Sequence, residues 1–310
     1  MAIVLTKITT LMKKISKIAI CLSLTLLSFG QIMAQEQAKH ELSVSGGLGL
    51  SSLKYDVSKG DHNQKLGGLL GIGYSYFFDE RFSLNTGLEI TLYNAEAKLN
   101  SFTDTYRATD TEGDFLFNTS VSDYKEKQRS VYMNIPIMVQ YQHPVLEEHK
   151  FYVAAGGKIG IPLSGSYKTS GANFETTGTY DKLGGSPTVS DVPGLGFYEF
   201  TGKKVNEDLD YQVSFLLSLE TGMKWVLSPS MSLYTGVYFD YGLNDIRKGN
   251  NNQKFLAYQS PDYGVKAEDF KLSSILQSRY TENDTNRSMT GKVIPIALGI
   301  KAKLAFSIPY

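Results

Sequence analysis

Apolar and polar side chains alternate along much of this chain, and the alternation is clearest at its end. In VIPIALGIKAKLAFSIPY, Val293 to Tyr310, every even position carries an apolar or aromatic side chain, whereas glycine, lysine, serine and proline occupy many odd positions. Successive side chains of a β-strand point to opposite faces, so a period of two predicts a strand. One face of this strand is bulky and the other is small.

Seven earlier segments repeat the pattern and predict seven further strands. Their bulky faces span Leu42 to Leu50, Leu66 to Phe78, Phe82 to Leu92, Val131 to Tyr141, Phe151 to Leu163, Tyr211 to Leu227 and Met231 to Leu243. The opposite faces consist mostly of glycine, serine, asparagine and glutamine, with a few charged residues. Together the eight segments predict an all-β chain.

Short and long connections alternate between the segments. The short ones are Phe78 to Phe82, Gln142 to Lys150 and Leu227 to Met231; the long ones are Asn100 to Lys127, Ser170 to Asp208 and Lys248 to Asn286, with Ser58 to Lys65 as a shorter member of that set. An even number of strands with short turns at one end and long loops at the other is typical of transmembrane barrels, whose turns face the periplasm.

Two kinds of barrel fit the alternation, and they differ in which face meets water. A soluble eight-stranded barrel of the lipocalin kind would turn its bulky face inward and carry charges outside. Here the small face has too many glycines and too few charges for a solvent surface. The interior of an eight-stranded barrel has room for such small residues. We therefore expect the bulky face to meet lipid.

Charged residues on the small face are then expected inside the barrel. We interpret them as a salt-bridged plug, because buried charges persist when they are paired and hydrogen-bonded; a path for substrate or protons is the alternative. The predicted interior charges are Glu89, Lys158, Glu220, Lys224, Asp240, Lys301 and Lys303.

Aromatic residues are expected to form two girdles at the membrane interfaces. The girdle on the turn side would contain Tyr74, Tyr76, Phe78, Phe82, Tyr141, Phe151, Trp225, Phe306 and Tyr310. The girdle on the loop side would contain Tyr55, Tyr167, Tyr211, Phe239 and Tyr241.

The first residues predict export. Three lysines at 13, 14 and 17 precede a short apolar run, Ile18 to Phe29, and a small-residue cleavage site follows at Ala34. This is the pattern of a signal peptide over residues 1–34, and the run is shorter than the ~20 residues of a membrane-spanning helix. The one cysteine, Cys21, lies in this segment, so we expect the exported chain, 35–310, to form a single barrel domain without disulfides.

Charge and chemistry narrow the function further. Lysine plus arginine and aspartate plus glutamate number 31 each, and this balance gives no basic footprint for nucleic acid. The four histidines, His40, His62, His143 and His149, lack zinc-ligand spacing, so we predict no metal and no cofactor. Asp61 and His62 are the one local pair suited to catalysis, but such a pair is common in polar loops, and we do not expect an enzyme.

Acidic and aromatic stretches in the long connections are a separate candidate site. They begin at Thr109 (TDTEGDFLF), Asp191 (DVPGLGFYEF) and Ser260 (SPDYGVKAEDF). Exposed aromatics among glycine and aspartate could bind glycan, protein or calcium. The favoured interpretation is that they pack the loops onto one another.

The signal peptide, the eight alternating segments and a last strand that ends with Phe306 and Tyr310 resemble the outer-membrane β-barrel family common in Bacteroidetes. That family is similar to the membrane domain of OmpA and to the OmpX and OmpW barrels. The resemblance covers Gln35 to Tyr310 and implies that the last strand, through Phe306 and Tyr310, is recognised by the barrel assembly machinery. Full-length OmpA carries a peptidoglycan-binding domain after its last strand; we expect none here, so the resemblance does not imply anchoring to the cell wall.

We therefore predict an eight-stranded antiparallel up-and-down barrel in the cell outer membrane. Its predicted role is structural or surface interaction, with the outer loops as the working surface; a small pore for passive transport and an outer-membrane enzyme are the alternatives. The expected partners are outer-membrane lipid, the assembly machinery and an extracellular ligand at the loops. We expect a monomer.

Overall fold

The computed structural model describes residues 39–110, 113–146, 149–181, 185–202, 204–248, 253–259, 270–282 and 285–308. The predicted signal peptide and Tyr310 lie outside the described residues. No helix in these ranges is long and apolar enough to cross a membrane.

Eight long strands close into one antiparallel barrel. They are β1 (His40–Lys54), β3 (Leu66–Phe77), β4 (Phe82–Leu99), β7 (Lys125–Leu146), β8 (His149–Ser170), β13 (Ser214–Ser228), β14 (Met231–Gly242) and β20 (Ile294–Ile308). Each strand pairs with the next one along this list, and β20 pairs with β1 from His40 opposite Ile308 to Lys54 opposite Ile294. Closure leaves no free edge in this sheet. The predicted fold class is confirmed.

The bulky faces point outward and the small faces inward, as the alternation predicts. Leu48, Leu66 and Leu70 are about three-quarters exposed, at 70%, 73% and 71%. Ser43, Glu89 and their counterparts on the other strands are buried. A surface of exposed leucine and isoleucine running around the barrel is the surface that lipid would cover.

The segments predicted as long loops are largely folded into strands. Within the described residues they contain β2 (Gly60–Gln64), β5 (Phe102–Asp110), β6 (Gly113–Ser122), β9 (Asn173–Tyr180), β10 (Thr188–Val189), a 3₁₀ turn (Pro193–Leu195), β11 (Glu199–Thr201), β12 (Asn206–Asp208), β15 (Gln253–Lys254), β16 (Leu256–Ala257), β17 (Lys271–Leu272), β18 (Ser278–Glu282) and β19 (Thr285–Ser288). β5, β6, β9, β10 and β11 form one antiparallel sheet, and β2 and β12 pair with the loop ends of the barrel strands β4 and β8. We call the elements β5–β6, β9–β11 and β15–β19 the head.

Several barrel strands also continue past the predicted apolar segments into the head. β7 begins at Lys125, six residues before the first bulky residue of the predicted segment, Val131. β4 runs on to Leu99, beyond Leu92. The barrel wall therefore stands above its own apolar band on the loop side, and the head is built on that wall.

An aromatic core holds the head together. It is continuous with the buried residues at the loop end of the barrel and includes Phe102, Phe115, Phe117, Phe174, Phe197, Phe200, Phe255 and Phe270. Phe115 and Phe117 come from the TDTEGDFLF stretch, and Phe197 and Phe200 from DVPGLGFYEF. The aromatic residues of these two stretches thus pack the connections onto one another; the third stretch lies outside the described residues except for Phe270.

The predicted girdle on the loop side is wrong for three of its five residues. Tyr55, Tyr167 and Tyr211 are buried, with 4%, 3% and 6% of their surface exposed, and they pack in the core at the base of the head. The alternation of side chains assigns a residue to one face of a strand. It does not show where along the strand the lipid ends and the head begins, and this boundary decides whether a tyrosine meets lipid or the core of the head.

Candidate functional sites inside the barrel and in the head

Five buried charged side chains meet in the middle of the barrel and form what we call the central ion cluster. The Glu89 carboxylate accepts hydrogen bonds from Lys158 Nζ at 2.7 Å and from Lys301 Nζ at 2.5 Å. Lys158 Nζ also donates to Asp240 at 3.0 Å, and Lys301 Nζ donates to Glu220 at 2.6 Å. Three carboxylates and two ammonium groups, from five different strands, thus form one connected network.

A second ion pair lies toward the turn end of the barrel. Lys224 Nζ donates to Glu41 at 2.6 Å, and the Tyr234 hydroxyl donates to the same carboxylate at 2.7 Å. Lys303 Nζ lies 4.0 Å from the centre of the Tyr234 ring, which is a cation–π distance. Between this pair and the central ion cluster is a small cavity of about 40 Å³, lined in part by Ser43, Ser45 and Lys303.

Aromatic side chains fill the barrel on the head side of the central ion cluster. Tyr93 and Tyr132 are buried with their ring centres 5.9 Å apart, and the Tyr132 hydroxyl donates to the carbonyl oxygen of Gln212. Tyr238 packs beside Gly47 and Gly299, where an added Cβ would lie 3.1 and 2.9 Å from the tyrosine ring. Glycines on the inner face therefore leave the space that this ring occupies.

The structure places the sequence-predicted interior charges in three settings. Five of the seven form the central ion cluster, Lys224 pairs with Glu41, and Lys303 lies over an aromatic ring. Glu41 and Tyr234 were not predicted as part of the site, although both have the parity of the inner face. Glu41 is the second residue of β1, and an acidic residue with the parity of the inner face was the signal that could have identified it.

A buried carboxylate connects the barrel wall to the head. Glu126, on the part of β7 above the apolar band, accepts hydrogen bonds from the Tyr124 hydroxyl at 2.5 Å, from Gln128 Nε2 at 2.8 Å and from Ser274 Oγ at 2.5 Å. The Ile275 backbone N–H is a fourth donor, at 3.0 Å. Burial is the dominant influence and raises the pKa of Glu126 above its usual value. This residue fixes the last connection onto β7.

The structure separates the Asp61 and His62 side chains. They are neighbours on β2, opposite Lys98 and Ala97 of β4, so they point to opposite faces of the sheet. The His62 ring packs 4.3 Å from Tyr55, and burial lowers the pKa of this histidine. Asp61 is exposed. In the part of the chain that the structure describes, no three or more histidine, aspartate or glutamate side chains are arranged so that they could hold a metal ion.

Of the two residues predicted to guide assembly, the structure describes one. Phe306 lies near the end of β20, opposite Leu42 of β1 and Met231 of β14, and is partly exposed on the outer face. Tyr310 lies outside the described residues.

The fold and the filled interior define a closed transmembrane β-barrel with a folded head. The chain matches the family described as "Outer membrane protein beta-barrel domain" over residues 33–248, more than half of its length. It therefore belongs to this family of outer-membrane barrels, and its location is the outer membrane. The end that carries the head then faces outside the cell. No curated protein matches the chain significantly.

Three solved structures of similar fold give a measure of the likeness. Neisserial surface protein A is 11% identical, with a TM-score of 0.34 over 88% of this chain and 100% of that one. Ail of Yersinia pestis, in complex with the heparin analogue sucrose octasulfate, is 12% identical, with a TM-score of 0.27 over 86% and 99%. AlkL in DMPC bilayers is 11% identical, with a TM-score of 0.32 over 90% and 97%. Values this low carry no information about function.

Proposed function

We propose that this protein has a structural or surface-interaction role in the outer membrane, without enzymatic activity, and that the head is its working surface. The observation that carries the proposal is the head itself: connections of this family member are folded into sheets around an aromatic core, rather than being minimal turns. A folded core holds the exposed side chains of β5, β9 and β11 in fixed positions, which favours recognition of an extracellular ligand.

Removing one hairpin tests this proposal. Phe102 stands opposite Val121 in the β5–β6 register, so the two ends of the hairpin are close and a two-residue Asn-Gly turn can replace it. A deletion strain would be complemented with the whole chain or with the shortened chain. Adhesion and detergent sensitivity would be measured, and the gel shift on boiling would show that both barrels are folded.

We expect the shortened chain to fail in the surface phenotype although its barrel is folded. If it restores every phenotype of the deletion strain, the head is not the working surface. If it restores detergent resistance but not adhesion, the barrel has the structural role and the head the interaction role.

A small passive pore is the alternative function, and the central ion cluster argues against it. Lys158 is fully buried between Glu89 and Asp240, and aromatic rings occupy the lumen above it. We expect no steady conductance from the purified protein in planar bilayers. A steady conductance that is lost in a Lys158→Ala/Glu220→Ala variant would favour the pore.

Enzymatic activity is the second alternative, and its one sequence candidate is His62. The opposite orientation of Asp61 and His62 removes the local dyad that such a mechanism would use. Lipid or peptide turnover by the purified protein that is lost in His62→Ala would contradict the non-enzymatic proposal.

Export and assembly belong to the same proposal. We infer that residues 1–34 are removed as a signal peptide, that the barrel assembly machinery recognises Phe306 and Tyr310, and that the protein is a monomer of the type common in Bacteroidetes. The partial exposure of Phe306 at the end of β20 supports its accessibility to a binding partner before closure of the barrel.

A further inference from the structure

Five basic side chains lie on the outer wall of the barrel just above the apolar band. They are Lys98 on β4, Lys125, Lys127 and Arg129 on β7, and Lys168 on β8, and we call them the basic strip. All five are exposed, whereas the residues between them on β7, Glu126 and Gln128, are buried. The alternation shows that the basic side chains point away from the barrel.

The strand register brings these charges together in pairs. Lys98 stands directly opposite Lys125, and Lys127 stands directly opposite Lys168. Like charges at directly opposed positions destabilise an antiparallel sheet. Asp61 stands opposite Lys98, and Glu96 stands opposite Lys127, so these carboxylates offset part of the repulsion; the strip as a whole keeps a positive charge that an anion could compensate.

Few carboxylates of the protein offset the basic strip. Glu96 lies 3.9 Å from Lys127 but also 3.4 Å from Lys65, so one carboxylate serves two lysines. Asp61 and Asp208 border the strip, opposite Lys98 and Ser166 respectively. Among the described residues no carboxylate forms an ion pair with Lys98, Lys125, Arg129 or Lys168, so these four can bind an external anion.

The distance of the basic strip from the apolar band indicates which anion it binds. Leu92 and Val131 are opposite each other at the top of the apolar band, and Asn94 and Arg129 form the same kind of pair two residues further out. Two residues of a strand span ~6–7 Å. The polar head-group layer on each side of a bilayer is about 5–8 Å thick. Arg129 therefore lies within this layer. Lys127 and Lys168 stand two residues further out, about 13 Å along strands that tilt by roughly 35–45°, so their long side chains reach the outer part of the layer.

The basic strip lies on three neighbouring strands, β4, β7 and β8. The segment that follows β14 also carries two basic residues, but each is paired with a carboxylate: Arg247 lies 2.6 Å from Asp245, and Lys248 lies 3.2 Å from Asp210.

We propose that the basic strip binds the phosphate groups of anionic lipids in the outer leaflet of the membrane. Arginine and lysine side chains held on rigid strands at the depth of the head groups match the charge and the position of these phosphates. The acyl chains of the same lipid would continue onto the apolar band formed by Leu92, Val131 and their neighbours. The lipid then binds to the wall below the head, and the head remains free for its own ligand.

Native mass spectrometry of the detergent-solubilised protein tests the proposal. The probes are diphosphorylated lipid A, the same glycolipid without phosphate, and phosphatidylcholine. The strip variant is Lys125→Gln/Arg129→Gln/Lys168→Gln. The matched control is Lys54→Gln/Lys271→Gln/Lys292→Gln, which removes the same charge from exposed lysines outside the strip. The gel shift on boiling shows that each barrel is folded.

We expect the whole protein and the control to retain phosphorylated lipid A at least about tenfold better than the dephosphorylated form, and the strip variant to lose this preference. An equal preference in the strip variant, or none in the whole protein, would overturn the proposal. Soluble inositol hexakisphosphate is the last probe. If it binds through the strip while lipid A does not, the occupant is a soluble polyanion and the lipid assignment is wrong.

Discussion

A single carboxylate, Glu89, illustrates how residues inside this barrel depend on distant parts of the chain. It accepts hydrogen bonds from Lys158 and Lys301, and the second of these is 212 residues away in sequence. Loss of one partner would leave a buried charge without compensation, which is far more costly than loss of an exposed ion pair. The network therefore favours one register of the closed barrel over shifted alternatives.

Glu126 gives the head a dependence on pH. Because burial raises the pKa of this carboxyl, the folded head binds its proton more tightly than the unfolded chain does. Its contribution to stability is complete below the ordinary glutamate pKa, about 4.3, and is lost as pH rises through the raised value of the folded state. We expect the hydrogen-exchange protection of the Ser274 to Leu276 amides to fall as pH rises from about 4.5 to 7.5.

The Glu126→Gln variant isolates this effect, because an amide does not titrate in that range. We expect its protection factors, normalised for intrinsic exchange, to change less steeply with pH than those of the natural chain. Glu199→Gln, at an exposed position on β11, is the control and should keep the natural slope. Identical slopes in all three proteins would show that Glu126 does not couple the head to pH.

At the scale of residues, sequence predicts the face of a side chain better than its partners. The parity of Glu89, Lys158 and Lys301 along their strands is local information, and it was enough to assign them to the inner face. The ion pairs depend on the register between strands that are far apart in sequence. That register also decided that Glu41 and Tyr234 share one site, which no local pattern contains.

At the scale of elements, the strands outside the membrane carry a weaker form of the same pattern. In β9, Asn173–Tyr180, the positions Phe174, Thr176, Gly178 and Tyr180 are buried, whereas the residues that alternate with them are exposed or half-buried. Threonine and glycine fill part of its inner face, so the alternation lacks the apolar bulk of the lipid-facing strands. The composition of these segments is typical of loops, and for that reason sequence alone predicted loops where sheets are present.

The β5–β6 hairpin is the element whose core contacts matter most for the head. Phe117 is fully buried, with ring centres of Tyr258 and Tyr106 at 5.1 and 5.5 Å. Phe117→Ala should destabilise the head by about 3–5 kcal/mol through the lost burial and the cavity left behind. Hydrogen exchange should show lost protection in β6 and β9, with the barrel strands unchanged.

Leu116→Ala is the matched control for this change. Leu116 is the neighbour of Phe117 on the same strand, points to the other face and is only half-buried. Its truncation should cost less than about 1 kcal/mol. Comparable losses in the two variants would mean that the aromatic core does not hold the head together, and loss of barrel protection would mean that head and barrel unfold as one unit.

At the scale of the whole molecule, the backbone hydrogen bonds between strands divide the protein into parts that differ in their accessibility to proteases. The barrel strands are paired on both sides along most of their length, with a few β-bulges, whereas the head contains irregular segments between short strands. Proteases cleave where backbone can detach from its hydrogen bonds and enter the active site in an extended form. The ladder therefore predicts where an intact cell exposes this chain to cleavage.

Trypsin added to intact cells should cleave after Lys204 and Lys248 before it cleaves after Arg107 or Lys168. The first two are exposed residues in irregular backbone, and the other two lie within paired strands of the head and the wall. The cleaved fragments should remain together on an unboiled gel and separate after boiling, because neither cleavage site lies within the hydrogen-bonded strands of the barrel.

In Phe117→Ala, cleavage after Arg107 should become as fast as cleavage after Lys204. Early cleavage after Arg107 in the natural chain would contradict the folded head, and complete protection of Lys204 and Lys248 would contradict its orientation toward the outside of the cell.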